Sequence, residues 1–481
     1  DSLWESPFES FHLSGSAGIG EVVSYQNGNL ALGNPVQQRV NIYESDVTNG
    51  GVLKGGFQAT NYVYPFGVTS TKTFGCSAQM LDSSVYVGAD QADIGSVTGA
   101  GAVFLFPEAN TGGNGASGTG SWGQGLYISG TEQSGFFGAS LSRRMVGPVP
   151  VLAIGATGEL SETGRVYLYR GGGDTLAQTI TPTGENISSF GRAHAFASVS
   201  EGDNPNQGYL AVSHLQAGVG KVNIYRESRE LKNDYTFFQT LTEDSTSLYG
   251  ASVESFGTSF MVGSPLASNQ GAAYFYEFNF NSGIFTKSQT LSASNIATND
   301  HFGKSLDLND SLAMVGSNGN DGSVYIFEKQ GTQWVEISQF SGSETSTAGS
   351  FAGSISGSRS IVIDGERAIV GAQNETEAYV FTTGSSDIDD YTGLAFSGQD
   401  NKIYDSDGNF LYGCSPGALH SISGAVMTGG YYSIYIDDNL YRARSPREPG
   451  VGLTGSLNDW AESGLDAAAS YYYLKILEPI P

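Results

Sequence analysis

Apolar and polar residues alternate in short runs along most of this chain, and Gly, Asn, Asp or Ser separates each run from the next. A period of two sends successive side chains to opposite faces of a strand, so the pattern predicts many short strands joined by tight turns. Examples are Val85-Tyr86-Val87, Val166-Tyr167-Leu168-Tyr169 and Val324-Tyr325-Ile326-Phe327. One stretch departs from it. Residues Asn458 to Ser470 predict a short helix, capped by Asn458 and carrying Ala467-Ala468-Ala469 inside.

The runs fall into a repeat. Each copy opens on an aromatic residue and Gly, crosses an alternating run to an apolar-Gly-small phrase, and ends in Gly followed by an apolar strand. The opening pairs are Phe74-Gly75, Phe137-Gly138, Phe190-Gly191, Tyr249-Gly250 and Phe302-Gly303, with Phe351-Ala352 after them and a worn Ile19-Gly20 before them. The central position is Gly33, Gly88, Gly155, Ser213, Gly263, Gly316 and Gly371, at intervals of 50 to 67 residues. That spacing accommodates one four-stranded blade with its loops. A fourth strand between copies carries Gln58, Gln178, Gln239, Gln289 and Gln339. The expected fold is all-β: a seven-bladed β-propeller of four-stranded blades over residues 1–397, then a small, mostly-β C-terminal region over 398–481. Radial packing buries both faces of each sheet, and Gly at the central position lets backbones approach near the axis. Two segments compete to close the ring, Phe11 to Ser16 and Leu394 to Gly398; the N-terminal one is preferred because it has no other role.

These phrases resemble the FG-GAP repeat, the unit of integrin-alpha-like propellers. The resemblance covers about residues 1–397. It implies a secreted or surface-displayed binding scaffold whose function resides in loops. Many such repeats hold calcium in an Asp-rich first hairpin. Here those positions carry Leu81-Asp82-Ser83-Ser84, Leu308-Asn309-Asp310-Ser311 and Ile363-Asp364-Gly365-Glu366, too few oxygens for a six- to eight-coordinate ion. The chain therefore resembles a calcium-poor branch, with no metal and no cofactor expected. The longer insert of the fourth copy, with Glu201, Asp203, Asn204 and Asn206, reads as a polar turn rather than a calcium loop, and so does Asp405-Ser406-Asp407-Gly408.

Charge narrows the partners. The 22 basic and 48 acidic residues give a net charge of −26, which repels nucleic-acid backbones and anionic lipid. No apolar run approaches the length needed to span a bilayer. The chain begins at Asp1, as a removed leader or a larger precursor would each explain. Cys76 and Cys414 read as buried free thiols, with a single bridge as the alternative. His12, His194, His214, His301 and His420 lie far apart without metal-ligand spacing, and His301 reads as a loop residue. No nucleophile elbow, phosphate loop or Cys-x-x-Cys occurs. Sequons at Asn186, Asn309 and Asn374 occur at the level chance gives in a chain so rich in Asn, Ser and Thr.

Beyond residue 397 the period stops. Lys402 to Tyr412 and Tyr431 to Tyr441 read as hairpins and Tyr471 to Ile476 as a buried strand. Arg442, Arg444 and Arg447 form a basic cluster that reads as a solvated face. The composite expectation is a non-catalytic extracellular, cell-surface or virion-surface protein. It would bind a protein or glycan through its blade loops and assemble into homo- or hetero-oligomers through residues 398–481. A purely architectural subunit of a filament or tail is one alternative, and a carbohydrate-active propeller enzyme with carboxylates at the channel is another.

Overall fold

The computed structural model describes residues 11–14, 22–26, 29–45, 57–63, 65–81, 84–107, 122, 125–146, 149–171, 173, 175–201, 204–228, 234–243, 248–319, 322–341, 360–364, 367–371 and 377–382. It also gives the backbone of eight short strands between 395 and 480. The chain divides into two compact units, one of residues 10–45 and 57–381, the other of residues 1–9, 46–56 and 382–481.

The larger unit is an all-β propeller. Six of its blades are four antiparallel strands in chain order from axis to rim. The first is Val22–Gln26, Asn29–Asn34, Arg39–Ser45 and Phe57–Val63. The second is Ser77–Leu81, Ser84–Ala89, Ala102–Pro107 and Tyr127–Ser129. The third runs Phe137–Val146, Val149–Ala156, Arg165–Arg170 and Thr175–Ile180. The fourth runs His194–Glu201, Asn204–Gln216, Val219–Glu227 and Tyr235–Leu241, with Ile187–Ser188 added beside its second strand. The fifth is Ser252–Phe256, Ser259–Ser264, Ala272–Asn279 and Ile284–Leu291. The sixth is Ser305–Leu308, Leu312–Ser317, Ser323–Gln330 and Gln333–Ser341.

A further sheet takes strands from both ends of the repeat. Ile361–Asp364, Arg367–Gly371 and Glu377–Thr382 pair in order, and Phe11–Ser14 adds to the last with Phe11 opposite Val380. Ala395–Ser397 pairs instead with Lys402–Tyr404 and Tyr471–Tyr473. The strands starting at residues 22, 77, 137, 194, 252, 305 and 361 contact one another in that order, and the last contacts the first.

The apolar faces interdigitate between blades. The second and third strands supply most of the core, including Leu30, Val85, Ile154, Leu210, Phe260 and Met314, all with essentially no exposure. The aromatic residue that opens each copy, Phe74, Phe137, Phe190, Tyr249 or Phe302, is buried as well. Each inserts against its blade's third strand: Phe74 meets Phe104 edge-on at 5.4 Å and Phe302 meets Tyr325 at 5.4 Å.

The fourth strands refine the sequence reading. In blades three, four and five a bulge of one residue precedes Gln178, Gln239 and Gln289, and a bulge re-aims the side chain beside it. Each glutamine then makes two bonds to the backbone that opens the next blade's outer strand. Gln289 Nε2 donates to Trp334 O at 2.7 Å and Trp334 N donates to Gln289 Oε1 at 2.8 Å. Gln178 clasps Tyr235 and Gln239 clasps Phe285 in the same way. Gln339 and Gln58, expected in the same series, are out of register. The bulge of blade six puts Ser338 opposite Ile326, and that of blade one puts Asn61 opposite Ile42. Gln339 instead donates to Ser323 Oγ and Tyr325 OH within its own blade.

In the smaller unit, Lys402–Tyr404 pairs with Phe410–Gly413, and Tyr431–Ile436 with Asn439–Arg444. Lys475–Ile480 pairs with Asn439–Arg444 on its other side. The helix expected at Asn458 to Ser470 lies outside the described residues, as do Asp405, Asp407, Arg447, Cys414, His420 and Asn374.

Candidate functional site

The innermost strands surround a narrow axial cavity whose polar lining includes Ser24, Gln79, Ser140, Ser142, His194 and Glu254. Its water-accessible volume is about 40 Å³, room for a few water molecules. The lining follows from the opening phrase of each repeat. The Gly of Phe-Gly has positive φ, +91° at Gly138 and +88° at Gly191, a region that favours Gly. This turn points its carbonyl back over the central Gly of the preceding blade. Ser77 Oγ donates to Gly138 O at 2.6 Å, Ser140 Oγ to Gly191 O at 2.6 Å and Ser252 Oγ to Gly303 O at 2.8 Å. A Cβ on Gly88, Gly155 or Gly263 would stand 2.2, 2.1 or 2.0 Å from the same carbonyls. The central Gly and the serine two residues after Phe-Gly are therefore one device, a joint between adjacent blades.

The fourth copy inverts the pair. Ser213 holds the Gly position and Ala193 the serine position, and Ala193 N donates to Ser213 Oγ at 2.9 Å. The next residue, His194, is buried and turns toward blade three. Its Nε2 lies 2.9 Å from Ser140 Oγ and its Nδ1 2.6 Å from Ser142 Oγ. Ser140 spends its only proton on Gly191 O, so Nε2 carries the ring proton and donates to Ser140. Nδ1 then accepts from the Ser142 hydroxyl. A serine donating to an imidazole is the first half of a nucleophile–base pair. Two features weigh against that use. Burial pushes His194 down to about 4, which makes it a weak base near neutrality. Its other nitrogen is taken by a hydroxyl rather than by an orienting carboxylate. The residues present make a cross-blade lock.

A second lock joins blades three and four at the far end of the same strands. Arg144 donates from Nη1 to Glu227 Oε2 at 2.8 Å and to Tyr235 OH at 3.0 Å, from Nε to Ser198 Oγ at 3.1 Å, and from Nη2 to Asn206 O at 2.7 Å. Glu227 has no exposure. Gly208 makes this possible, since a Cβ there would stand 2.1 Å from Arg144 Nη1. The insert of the fourth copy is thus a strand hairpin, with Glu201 opposite Asn204, and Asn206 serves the arginine through its carbonyl. A third cluster lies between Ala156 and Arg165. Arg165 Nη1 bridges Glu132 Oε1 at 2.6 Å and Glu159 Oε2 at 2.9 Å, and Tyr167 OH donates to Glu159. Burial and the Glu159 bond push Tyr167 up to about 12.

The remaining sequence candidates are dispersed. Asn309 Oδ1 accepts from Ser311 N at 3.0 Å and Leu312 N at 2.8 Å, closing its own turn. Cys76 is buried, its Sγ stands 3.8 Å from Gly138 O, and burial pushes its pKa well up. His214 is buried against Phe190, His301 lies in a loop at φ 59°, and Asn186 sits at φ 57°. Asp82, Asp203, Gly365 and Glu366 lie outside the described residues. No group of three or more metal-ligating side chains occurs among the described residues. No described helix is long and apolar enough to cross a membrane. Sequence reading named His194 without its partners and missed Ser142 and Arg144, because the residues they meet stand some fifty to ninety residues away, joined only by blade adjacency. The recurrent serine was visible as the second residue after the aromatic-Gly pair at Ser77, Ser140, Ser252 and Ser305.

Comparison with known proteins bears on the repeat. The family model of the FG-GAP repeat matches residues 285–327, from the outer strand of blade five through the third strand of blade six. The chain is a β-propeller that carries an FG-GAP repeat. The FG-GAP propeller is a fold of the protein-binding or adhesion type. No curated protein matches the chain. Among solved structures, Sqt1 of Saccharomyces cerevisiae aligns at 11% identity and a TM-score of 0.42, over 89% of this chain and 95% of that one. A likeness at that level carries no argument about function.

Proposed function

We propose that this FG-GAP propeller is a seven-bladed, non-catalytic binding protein of the extracellular space, a cell surface or a virion surface, engaging a protein or glycan through its hairpin loops. The composite sheet would be the seventh blade, a reading supported by the cyclic contacts of the seven innermost strands. The observation that carries the functional reading is a division of labour. The hydroxyls and the imidazole at the axis are spent on blade-to-blade bonds, whereas large apolar side chains stand in solvent on the hairpins. Blade five exposes Phe256 at 45% and Phe280 at 65%, on two hairpins tied together by Phe278 N donating to Thr258 O at 3.1 Å. Exposed aromatics on a rigid base are the residues that anchor partners.

The test is binding of the purified protein to a glycan array and to intact cells, compared with a Phe256→Ser/Phe280→Ser variant of unchanged melting temperature. Saturable binding lost in the variant supports the loop reading. Undiminished binding by the variant, or none by the parent, sinks it. Residues 398–481 are assigned as the assembly element. Light scattering of the full chain and of a chain ending at residue 397 tests that assignment, which fails if the shorter chain assembles equally well.

A further inference from the structure

Two cations near the axis make no ion pair among the described residues. The residue after the aromatic-Gly pair is Cys76, Ala139, Arg192, Ala251 and Lys304 in blades two to six. The innermost strands of blades two to six begin at or just after these turns, so this position gathers at one end of the axis. Among these copies only Arg192 and Lys304 are charged, and the intervening blade carries Ala251. Both side chains are half-buried. Their backbones are fixed: Arg192 N donates to Ser189 O at 3.2 Å and Lys304 N to Gly316 O at 3.1 Å. Neither side chain makes an ion pair among the described residues, and Arg192 Nε is buried without a hydrogen-bond partner. Burial pushes both cations down, and for Lys304 the charge of Arg192 adds to the effect.

That arrangement is costly in a chain with 48 carboxylates to choose from. A buried guanidinium N–H without an acceptor loses its hydration with nothing in return, and two cations close enough to repel worsen it. An anion between them would remove both costs. We infer that Arg192 and Lys304 form an oxyanion-binding site at the Phe-Gly end of the propeller axis, taking a carboxylate, sulfate or phosphate group. The guanidinium offers two parallel N–H donors, which match a pair of oxygens on one centre, and the ammonium supplies a point charge opposite. The ligand carries one such oxyanionic group, free or projecting from a larger molecule. The inference is independent of the hairpin surface proposed above.

The experiment uses the full chain at neutral pH. Melting temperature and calorimetric heat are followed on addition of sodium sulfate, inorganic phosphate or acetate, each against sodium chloride at equal ionic strength. The expected result is saturable, one-per-chain binding of at least one oxyanion, and the arm that responds identifies the group. Arg192→Gln and Lys304→Met should each weaken that binding about tenfold or more, since a charge-assisted bond is lost. The same variants should melt no lower than the parent in chloride, because repulsion is relieved. Equal behaviour of all oxyanions and chloride overturns the inference, and so does undiminished binding in both variants.

Discussion

Replacing Gly155 by Ala tests the blade joint directly. The added methyl would stand 2.1 Å from the Gly191 carbonyl oxygen and 2.3 Å from Ser140 Oγ, more than 1 Å inside ordinary contact. The hydroxyl can rotate away, but it then abandons Gly191 O and leaves the His194 Nε2 proton facing no acceptor. An unmade buried bond of this kind costs about 1–3 kcal/mol. The carbonyl is backbone and moves only with the whole Phe-Gly turn, so overpacking adds about 1–3 kcal/mol. The Ala side chain returns up to about 1 kcal/mol by restricting the unfolded chain. The expected net loss is about 3 kcal/mol, read as a lower urea midpoint with unchanged slope. Ser140→Ala, which deletes the hydroxyl without adding bulk, should cost about 1–2 kcal/mol. If Gly155→Ala loses less than about 1 kcal/mol, the close approach of blades three and four does not hold the joint together.

Other outcomes follow from the same geometry. His194 is held neutral, with a folded pKa of about 4 against about 6.5 unfolded. The unfolded chain therefore binds the proton first, and stability is lost as pH falls from about 6.5 to 4, by about 3 kcal/mol from this group. Urea midpoints across that range should flatten in His194→Gln, and an identical slope in the variant would refute the assignment. Arg144→Met strands Glu227 without its charged partner and should cost about 3–5 kcal/mol, measured by the same unfolding curves. Gln289→Ala removes both bonds to Trp334 and should cost about 1–3 kcal/mol, with faster exchange of the Trp334 amide. The short first hairpins predict equal melting temperatures in chelator and in millimolar calcium, and a rise of many degrees with calcium would contradict the oxygen count.

The sequence carried the repeat well because a propeller writes its rules locally. Phe-Gly, the central Gly and the alternating runs each recur within one blade, so the all-β propeller could be read without a partner in view. The fourth-strand glutamines were legible as a series but not by register: a bulge decides which residue faces the next blade, and it excludes Gln58 and Gln339. The site was less legible. His194 and Arg144 depend on serines, a carboxylate and a tyrosine of neighbouring blades, and no local spacing encodes that meeting. Gly208 illustrates the limit. It is an unremarked residue of a long strand until the Arg144 guanidinium is seen against it.

The glutamine clasps and the serine joints share one property: each addresses the main chain of the neighbouring blade, whose atoms are the same whatever residue stands there. Trp334, Phe285 and Tyr235 accept the same grip although their side chains differ. Recognition between blades is therefore blind to most of the sequence it recognises. A duplicated or transplanted unit would find its neighbours already compatible at both rim and axis, while its surface stayed free to diversify. A ring held in this manner can change its loops, or exchange a segment with a relative, without renegotiating the contacts that keep it closed.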